Sequence, residues 1–124
     1  MKNIILIMAL FNTMFGANAQ KSDTIKVLTA SDFNKAIENN NVQLVDVRTT
    51  QEFNQGAIDS ALNIDFFQQD KFKSEFEKLD RDQPVYLYCH SGSRSHQAAL
   101  KLETMGFIEI YDLKGGYMMW PSKN

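Results

Sequence analysis

The sequence of 124 residues has a single cysteine, Cys89, and no excess of positive charge. One cysteine excludes a disulfide within the chain and a structural zinc site built from several of its cysteines. Lysine and arginine number 13 against 15 aspartates and glutamates, a net charge of −2, and they form no basic block. Because proteins that bind nucleic acids carry clustered positive charge for the phosphate backbone, we expect no nucleic-acid partner.

The sequence also lacks an apolar run long enough to span a membrane, which takes about 20 residues. Its N-terminal apolar run covers residues 4–11, after Lys2 and before the small residues Ala17 and Ala19. A positive charge, a short apolar run and a small-x-small pattern, in this order, are typical of a cleaved secretory signal. We therefore expect a signal peptide at residues 1–19 and one domain at residues 20–124. The mature protein would be exported, periplasmic or secreted, with no membrane attachment.

From residue 25 onwards, short apolar runs alternate with polar segments of helical spacing. Strands are predicted at residues 25–28, 42–47, 85–88 and 107–111, with a brief strand or extended link at 61–64. Helices are predicted at residues 29–38, 50–54, 69–79 and 95–105, followed by Gly106 as the C-terminal cap of the last one. This alternation is typical of an α/β fold, a mostly parallel central sheet flanked by helices on both faces.

Cys89 directly follows the strongest predicted strand, Val85–Tyr88, and precedes a predicted helix. Ligands of open α/β sheets bind at this edge, outside the carboxyl ends of the strands. A loop rich in serine and glycine can turn its backbone N–H groups inward and, with the helix N-terminus behind it, form an anion site. The candidate substrate-binding residues are His90, Ser91, Gly92, Ser93, Arg94 and Ser95.

Such a loop, together with the positive charge of Arg94, favours the thiolate form of Cys89, which is the nucleophile. We therefore predict a nucleophilic Cys89 beside a seat for an anion. The alternative is that Cys89 is a small buried apolar side chain, the usual role of a free cysteine. The loop argues against this alternative, because a structural cysteine does not need an anion site.

Four stretches, in the same order, resemble signatures of the rhodanese-like (sulfurtransferase) family. They are Val45–Arg48 with Glu52-Phe53, Gly56–Ile64, Val85–Ser95 and Leu113–Trp120. The resemblance implies a rhodanese-like fold for the domain. One departure is Ala57, which stands where the family has a histidine that we take as structural.

The resemblance implies an enzyme, a thiosulfate sulfurtransferase with Cys89 as the catalytic residue. Cys89 would take a sulfane sulfur from thiosulfate or a similar small anion and become a persulfide, while sulfite leaves. A thiol, cyanide or a protein acceptor would then receive the sulfur. Arg94 would help to seat the sulfonate-like end of the donor.

Two other functions stay open. One is a non-catalytic persulfide carrier or rhodanese-like binding module that serves a partner. The other, ranked lower, is a small phosphatase. Related phosphatases of this fold have the spacing Cys-x5-Arg, whereas Cys89 and Arg94 are spaced Cys-x4-Arg, the sulfurtransferase length.

The remaining polar candidates are expected to support the site. Arg48 and Glu52, four residues apart, are predicted to form an ion pair that shapes the loop, and Asp46 is a further supporting residue. The side chain of His90 is expected to face outward, and His96 to be solvated. We expect no cofactor. A metal site of Cys89, His90 and His96 is not expected either, because these residues lack a fourth ligand and the loop needs its thiolate free. The pair Gly115-Gly116 is expected to serve tight backbone geometry rather than phosphate binding.

Overall fold

The computed structural model describes residues 23–121, and the predicted signal peptide at residues 1–19 lies outside them. The elements of the described part are, in chain order, β1 (Ile25–Leu28), α1 (Ala30–Ile37), β2 (Gln43–Asp46), α2 (Thr50–Asn54), β3 (Leu62–Asn63), α3 (Gln69–Phe76), β4 (Val85–Tyr88), α4 (Ser93–Thr104) and β5 (Ile110–Leu113). A short 3-10 turn, Tyr117–Met119, follows β5. No helix within residues 23–121 is long and apolar enough to cross a membrane.

The strands form a parallel sheet in the order β1-β5-β4-β2-β3. The central strand, β4, lies between β5 and β2, and all four of its residues are buried. Leu87 of β4 lies opposite Val45 of β2 and Asp112 of β5. Because all strands run in the same direction, their carboxyl ends meet at one edge. The loop that follows β4 therefore lies in the middle of that edge, where ligands of such sheets bind.

Apolar side chains cover both faces of this sheet. One face packs against α3 and α4, through residues that include Val45, Leu87, Ile110, Phe72, Phe76 and Leu102. The other face packs against α1 and the C-terminal segment, through Phe33, Leu44, Tyr86, Leu113 and Trp120. The predicted α/β fold, with helices on both faces of a parallel sheet, is confirmed.

The last strand begins and ends later than predicted. The prediction was residues 107–111, whereas β5 spans Ile110–Leu113. Phe107 belongs instead to the C-terminal cap of α4. The Phe107 N–H donates to the Leu102 carbonyl at 3.1 Å, and the Gly106 N–H donates to the Glu103 carbonyl at 3.1 Å. This pair of bonds is the Schellman motif, in which Gly106 has a positive φ of 98°. Gly106 thus caps the helix as predicted. Because Gly106 and Phe107 belong to the cap, the strand begins only at Ile110.

Two helix boundaries also differ from their predictions. The helix α4 begins at Ser93, two residues earlier than predicted, because Gly92 has a φ of 114° and turns the chain directly into the helix. The helix α3 ends at Phe76 rather than Leu79. The Leu79 N–H then donates to the Phe76 carbonyl at 3.0 Å in a closing turn, and Leu79 still packs on the core.

The segment after β5 holds the loop after β4 in place. The Tyr117 N–H donates to the Cys89 carbonyl at 2.8 Å, and the Met118 N–H donates to the His90 carbonyl at 2.9 Å. Gly116 makes this approach possible, because a Cβ at its position would lie 2.5 Å from the His90 oxygen and 2.7 Å from the Cys89 oxygen. The expectation that Gly115-Gly116 serves tight backbone geometry is confirmed.

Leu102→Ala is expected to lower the free energy of unfolding by about 2–5 kcal/mol, because Leu102 is fully buried between α4 and the sheet. Leu100→Ala is the matched control on the same helix, since Leu100 is 47% exposed, and should change this free energy by less than about 0.5 kcal/mol. Urea unfolding of both variants measures the two values. Equal losses would contradict the packing of α4 on the sheet.

Gly116→Ala is expected to lower the free energy of unfolding by about 1–3 kcal/mol from its backbone conformation alone, φ 64° and ψ −164°. The clash with two backbone carbonyls adds to this loss. Gly106→Ala is the control, because it has a positive φ but its Cβ would meet only the Arg81 side chain, at 3.5 Å. Thermal or urea unfolding should show the larger loss for Gly116→Ala. A loss no larger than that of the control would disprove the close approach to the loop.

Candidate active site

Cys89 lies at the carboxyl end of β4, and the loop that follows turns back on its sulfur. The Gly92 N–H donates to Cys89 Sγ at 3.1 Å. The Cys89 thiol donates to Ser95 Oγ at 3.4 Å, and the Ser95 hydroxyl in turn donates to the Gly92 carbonyl at 3.2 Å. The backbone N–H that donates to the sulfur is the kind of group that stabilises negative charge.

The N-terminus of α4 lies directly behind this sulfur. The first turn of an α-helix leaves its N–H groups without acceptors inside the helix, and in α4 this turn includes Ser93, Arg94 and Ser95. Such N–H groups, with the partial positive charge of the helix end, bind anions. The loop therefore offers donors both to a cysteine thiolate and to an anionic substrate.

Cys89 combines two environments. Cys89 is only 1% exposed, and it packs in the apolar cluster that contains Leu87 and Ala98. The apolar alternative considered for Cys89 therefore describes its burial correctly. The alternative does not account for the polar groups on its sulfur, Gly92 N–H and Ser95 Oγ.

The other candidate residues of the loop lie around this sulfur. His90, Ser91 and Ser93 are exposed, and Ser95 is buried. His90 is exposed as expected, and its backbone carbonyl, not its ring, carries the contact to Met118. His96, in the first turns of α4, is exposed as well.

Arg94 does not extend alone into solvent. Its two terminal nitrogens bind both carboxylate oxygens of Glu52, at 2.8 Å and 3.1 Å. Its guanidinium carbon lies 5.4 Å from the centre of the Phe67 ring. The hydrogen bonds from Arg94, together with those from Thr49, lower the pKa of Glu52 to about 2, so this carboxylate is ionised at neutral pH.

The predicted ion pair between Arg48 and Glu52 is therefore wrong. Arg48 binds Asp46 instead, with 2.7 Å between Nη2 and Oδ2, and both side chains are buried. The helical spacing behind the prediction does not apply, because Thr49 is the N-cap of α2 and Arg48 precedes the helix. Asp46 and Arg48 are two residues apart in extended backbone and so lie on one face. Glu52 closes a capping box with Thr49 and turns toward Arg94.

The buried pair Asp46–Arg48 supports the Cys89 loop through the side chain of Arg48. Arg48 Nη2 also donates to the Gly56 carbonyl at 2.7 Å, and its guanidinium lies 4.3 Å from the centre of the Tyr117 ring. Tyr117 is the residue whose N–H binds the Cys89 carbonyl. Arg48 thus stabilises the segment that holds the cysteine loop.

Sequence reasoning missed Asp112, a buried carboxyl beside the loop. Asp112 is 4% exposed, and one of its oxygens, Oδ1, has no hydrogen-bond partner. Burial raises the pKa of Asp112 to about 6, against a smaller opposing effect of a hydrogen bond with Ser95. The signal in the sequence was an acidic residue inside an apolar run, but the predicted strand ended at Tyr111 and left Asp112 out.

Two further observations bear on ligands. Within residues 23–121, no three histidine, cysteine or acidic side chains are grouped so that they could hold a metal ion. A polar cavity of about 560 Å³ lies between the loop after α1 and the loop after α2, lined in part by Asn40, Asp59 and Trp120. Its lining includes no residue of the Cys89 loop.

The chain is similar to known proteins over most of its length. The sequence profile of the family described as "Rhodanese-like domain" matches residues 29–123. The chain is 37% identical to the uncharacterized protein YqhL of Bacillus subtilis, over 97% of this chain and 91% of YqhL. It is 32% identical to the thiosulfate sulfurtransferase GlpE of Shewanella oneidensis, over 82% of this chain and 97% of GlpE. It is 33% identical to the tRNA uridine(34) hydroxylase of Buchnera aphidicola, over 75% of this chain but 31% of that protein.

The structure gives the same result. A crystal structure of a rhodanese-like domain protein from Staphylococcus aureus superimposes with a TM-score of 0.68 at 29% identity, over 80% of this chain and 96% of that one. Sequence profile, relatives and fold agree, and the chain belongs to the rhodanese-like domain family.

Proposed function

We propose that this protein is a sulfurtransferase that moves a sulfane sulfur from thiosulfate, or a similar anion, to a thiol or cyanide through a persulfide on Cys89. The observation that carries the proposal is the contact of the Gly92 N–H with Cys89 Sγ, at 3.1 Å, in front of the N-terminus of α4. It supplies a donor to a sulfur that must hold negative charge. The similarity to GlpE, which is named a thiosulfate sulfurtransferase, supports the choice of donor.

The first half of the reaction loads the cysteine. The Cys89 thiolate attacks the outer sulfur of thiosulfate, a new S–S bond forms, and the S–S bond of thiosulfate breaks. Its electron pair leaves with sulfite, and Cys89 is left as a persulfide anion. Thiolate and persulfide are both anionic, so the donors of the loop stabilise the site before and after this step.

The second half of the reaction transfers the sulfur from Cys89 to the acceptor. A lone pair of cyanide or of a thiolate acceptor attacks the outer sulfur of the persulfide, and the S–S bond to Sγ breaks. Cyanide leaves as thiocyanate, a thiolate leaves as its own persulfide, and the Cys89 thiolate is regenerated. No metal, cofactor or external oxidant is needed, because the transferred sulfur brings its oxidation state with it.

Arg94 is proposed to bind the sulfonate-like end of the donor while it stays paired with Glu52. A guanidinium has five N–H donors, and two suffice for the bidentate contact with Glu52. The pair as a whole is neutral, which weakens the attraction of Arg94 for an anion. Glu52 thus orients Arg94 and at the same time moderates its charge.

The proposal includes the place where the protein acts, which is outside the cytoplasm. The N-terminal pattern of residues 1–19 supports export to the periplasm or the outside of the cell. The hydroxylase of Buchnera aphidicola is about three times as long as the matching region.

Cys89→Ser is expected to abolish both persulfide formation and turnover, because the chain has no other cysteine. The mature protein would be incubated with thiosulfate and its intact mass recorded. Thiocyanate formation from thiosulfate and cyanide would then be followed. Ser74→Ala, on the exposed side of α3, is the control and should behave as the wild type.

The outcomes separate the candidate functions. A gain of one sulfur atom with turnover, both absent in Cys89→Ser, supports the enzyme. A gain of one sulfur without turnover with any small acceptor would replace the enzyme by a persulfide carrier. Hydrolysis of an aryl phosphate that depends on Cys89, without sulfur transfer, would favour the phosphatase.

Arg94→Ala is expected to raise the KM for thiosulfate by about tenfold or more, because it removes a charged hydrogen-bond donor.

Glu52→Gln is expected to lower the KM for thiosulfate a few-fold, because it removes the negative charge that offsets the positive charge of Arg94. Glutamine still fits the capping box with Thr49, so α2 should stay intact. Arg81→Ala and Glu75→Gln, both away from the loop, are the controls. An unchanged KM in Arg94→Ala would remove Arg94 from the donor site and leave it as the partner of Glu52.

A further inference from the structure

Another cavity, of about 460 Å³, lies between α3 and α4 and takes no part in the proposed reaction. Helix α3 contributes Phe72 and Lys73 to its lining, and helix α4 contributes Lys101 and Thr104. No residue of the Cys89 loop belongs to this lining. Small-molecule ligands occupy cavities of about 300–1,000 Å³, so the space between the two helices is large enough for one.

Positive charge is concentrated at this cavity. Three cationic side chains line it, Lys73, Arg81 and Lys101, together with a single acidic one, Glu77. The lining thus has an excess of two positive charges, whereas the whole chain has a net charge of −2. None of the ion pairs within residues 23–121 includes any of the three cations. Like charges around one space repel each other, and a bound anion would offset this repulsion.

The fold brings the three cations together from separate segments of the chain. Lys73 belongs to α3, Lys101 belongs to α4, and Arg81 lies in the loop between α3 and β4. Arg81 is held beside the end of α4, because its carbonyl accepts from the Ile108 N–H at 3.2 Å. Its side chain lies against Gly106, where a Cβ would be 3.5 Å from Arg81 Cδ.

Apolar side chains form the floor of the cavity. Phe72 is 1% exposed, and its ring centre lies 4.7 Å from that of Phe76 in the core. Met105 is half-buried and packs on the same core cluster, whereas Lys73, Arg81 and Lys101 are exposed. An apolar group that enters the cavity would be removed from water against Phe72 and Met105, which favours binding.

Neutral hydrogen-bond donors contribute little to this cavity. The Thr104 hydroxyl donates its one proton to the Lys101 carbonyl at 2.6 Å, so it offers a ligand only an acceptor. The side-chain amide of Gln69 already donates to the Phe66 carbonyl. Recognition would therefore come mainly from the cations, which select an anion.

A stabilising role at the helix ends is the alternative explanation for these charges. Lys73 and Lys101 lie in the last turns of α3 and α4, where a cation is favourable. The last carbonyls of α4 already have backbone partners, however, in the N–H groups of Met105, Gly106 and Phe107. The two explanations differ in one measurable respect, because only a ligand site binds an anion saturably.

We propose that the cavity between α3 and α4 binds a small organic anion with two or more negative charges and an apolar group. Lys73, Arg81 and Lys101 bind its charged end, and Phe72 and Met105 contact its apolar group. The inference is independent of the proposed function, since neither Cys89 nor Arg94 takes part in it. An aryl phosphate has both features, because a phosphate with a second pKa of about 6 is mostly doubly charged above neutral pH.

Titration of the 15N-labelled mature protein with phenyl phosphate, followed by 1H–15N NMR at about pH 7.5, tests this inference. Saturable shifts that fit one dissociation constant are expected for the amides of Lys73, Lys101 and Met105. Inorganic phosphate, which lacks the ring, should bind at least about threefold more weakly, and phenol, which lacks the charge, should cause no such shifts. Cys89→Ser is titrated in parallel, because it keeps the cavity and excludes any reaction of the probe at the cysteine.

Charge variants make the result specific. Lys101→Gln and Arg81→Gln should each raise the dissociation constant of phenyl phosphate about three- to tenfold, because each removes a charged donor. Lys71→Gln is the matched control, since Lys71 is an exposed lysine of α3 outside the lining of the cavity. It should keep the wild-type constant. Lys101 and Arg81 are exposed, so both variants should fold, and their NMR spectra show whether they do.

Shifts confined to the amides of the Cys89 loop, or shifts that grow without saturation, would overturn the inference. An equal loss of affinity in Lys71→Gln would also overturn it, because the net charge and not the cavity would then attract the anion. Inorganic phosphate that binds as tightly as phenyl phosphate would refute the role of the apolar floor. The titration involves no sulfur donor or acceptor, so a failure of sulfur transfer leaves its result unchanged.

Discussion

The burial of β4 on both faces and both edges is the constraint on which the rest of the structure depends. All four of its residues are buried, between β2 and β5 in the sheet and between two layers of apolar side chains. Where such a strand ends, its last carbonyls must find partners inside the protein. The Val47 N–H binds the carbonyl of Tyr88, the last residue of β4, and the N–H groups of Tyr117 and Met118 bind the next two carbonyls, those of Cys89 and His90. The cysteine loop is thus fixed by backbone bonds from a distant part of the chain, and its side chains are left for chemistry.

Charge in the site is arranged at two levels of burial. Asp46 and Arg48 form a buried pair, in which loss of one partner would leave an uncompensated charge, a change that typically costs several kcal/mol. This pair fixes the base of the loop. Glu52 and Arg94 form a pair at the rim, with side-chain exposures of 32% and 19%. Water weakens the attraction in such an exposed pair, so this pair contributes less to stability than the buried pair does.

Local patterns in the sequence predicted the elements that position the site. The strand and the loop of the site lie next to each other in the sequence, as Val85–Tyr88, Cys89 and Gly92. Their arrangement could therefore be predicted from the local pattern alone. The partners of the charged side chains could not be read in the same way. Glu52 and Arg94 are 42 residues apart, and their contact depends on how α2 lies against α4.

The same limit explains Asp112. Its position depends on the register of β5 against β4 and on the start of α4, and a shift of the predicted strand by a few residues hid both. A one-residue change of register moves a side chain to the opposite face of a sheet. Apolar periodicity alone gives strand boundaries only to within a few residues. Three-dimensional proximity of Asp112 to Ser95 was therefore beyond the sequence pattern.

The 1% exposure of Cys89 has a consequence for the oxidation chemistry of the chain. A disulfide needs the Cα atoms of its two cysteines within about 7 Å of each other. Two copies of a folded chain whose thiols are both enclosed cannot approach to that distance, so dimerisation by oxidation requires the loop to open first. The same burial that makes Cys89 resemble a structural residue thus protects a solitary thiol from forming a disulfide between two copies of the chain.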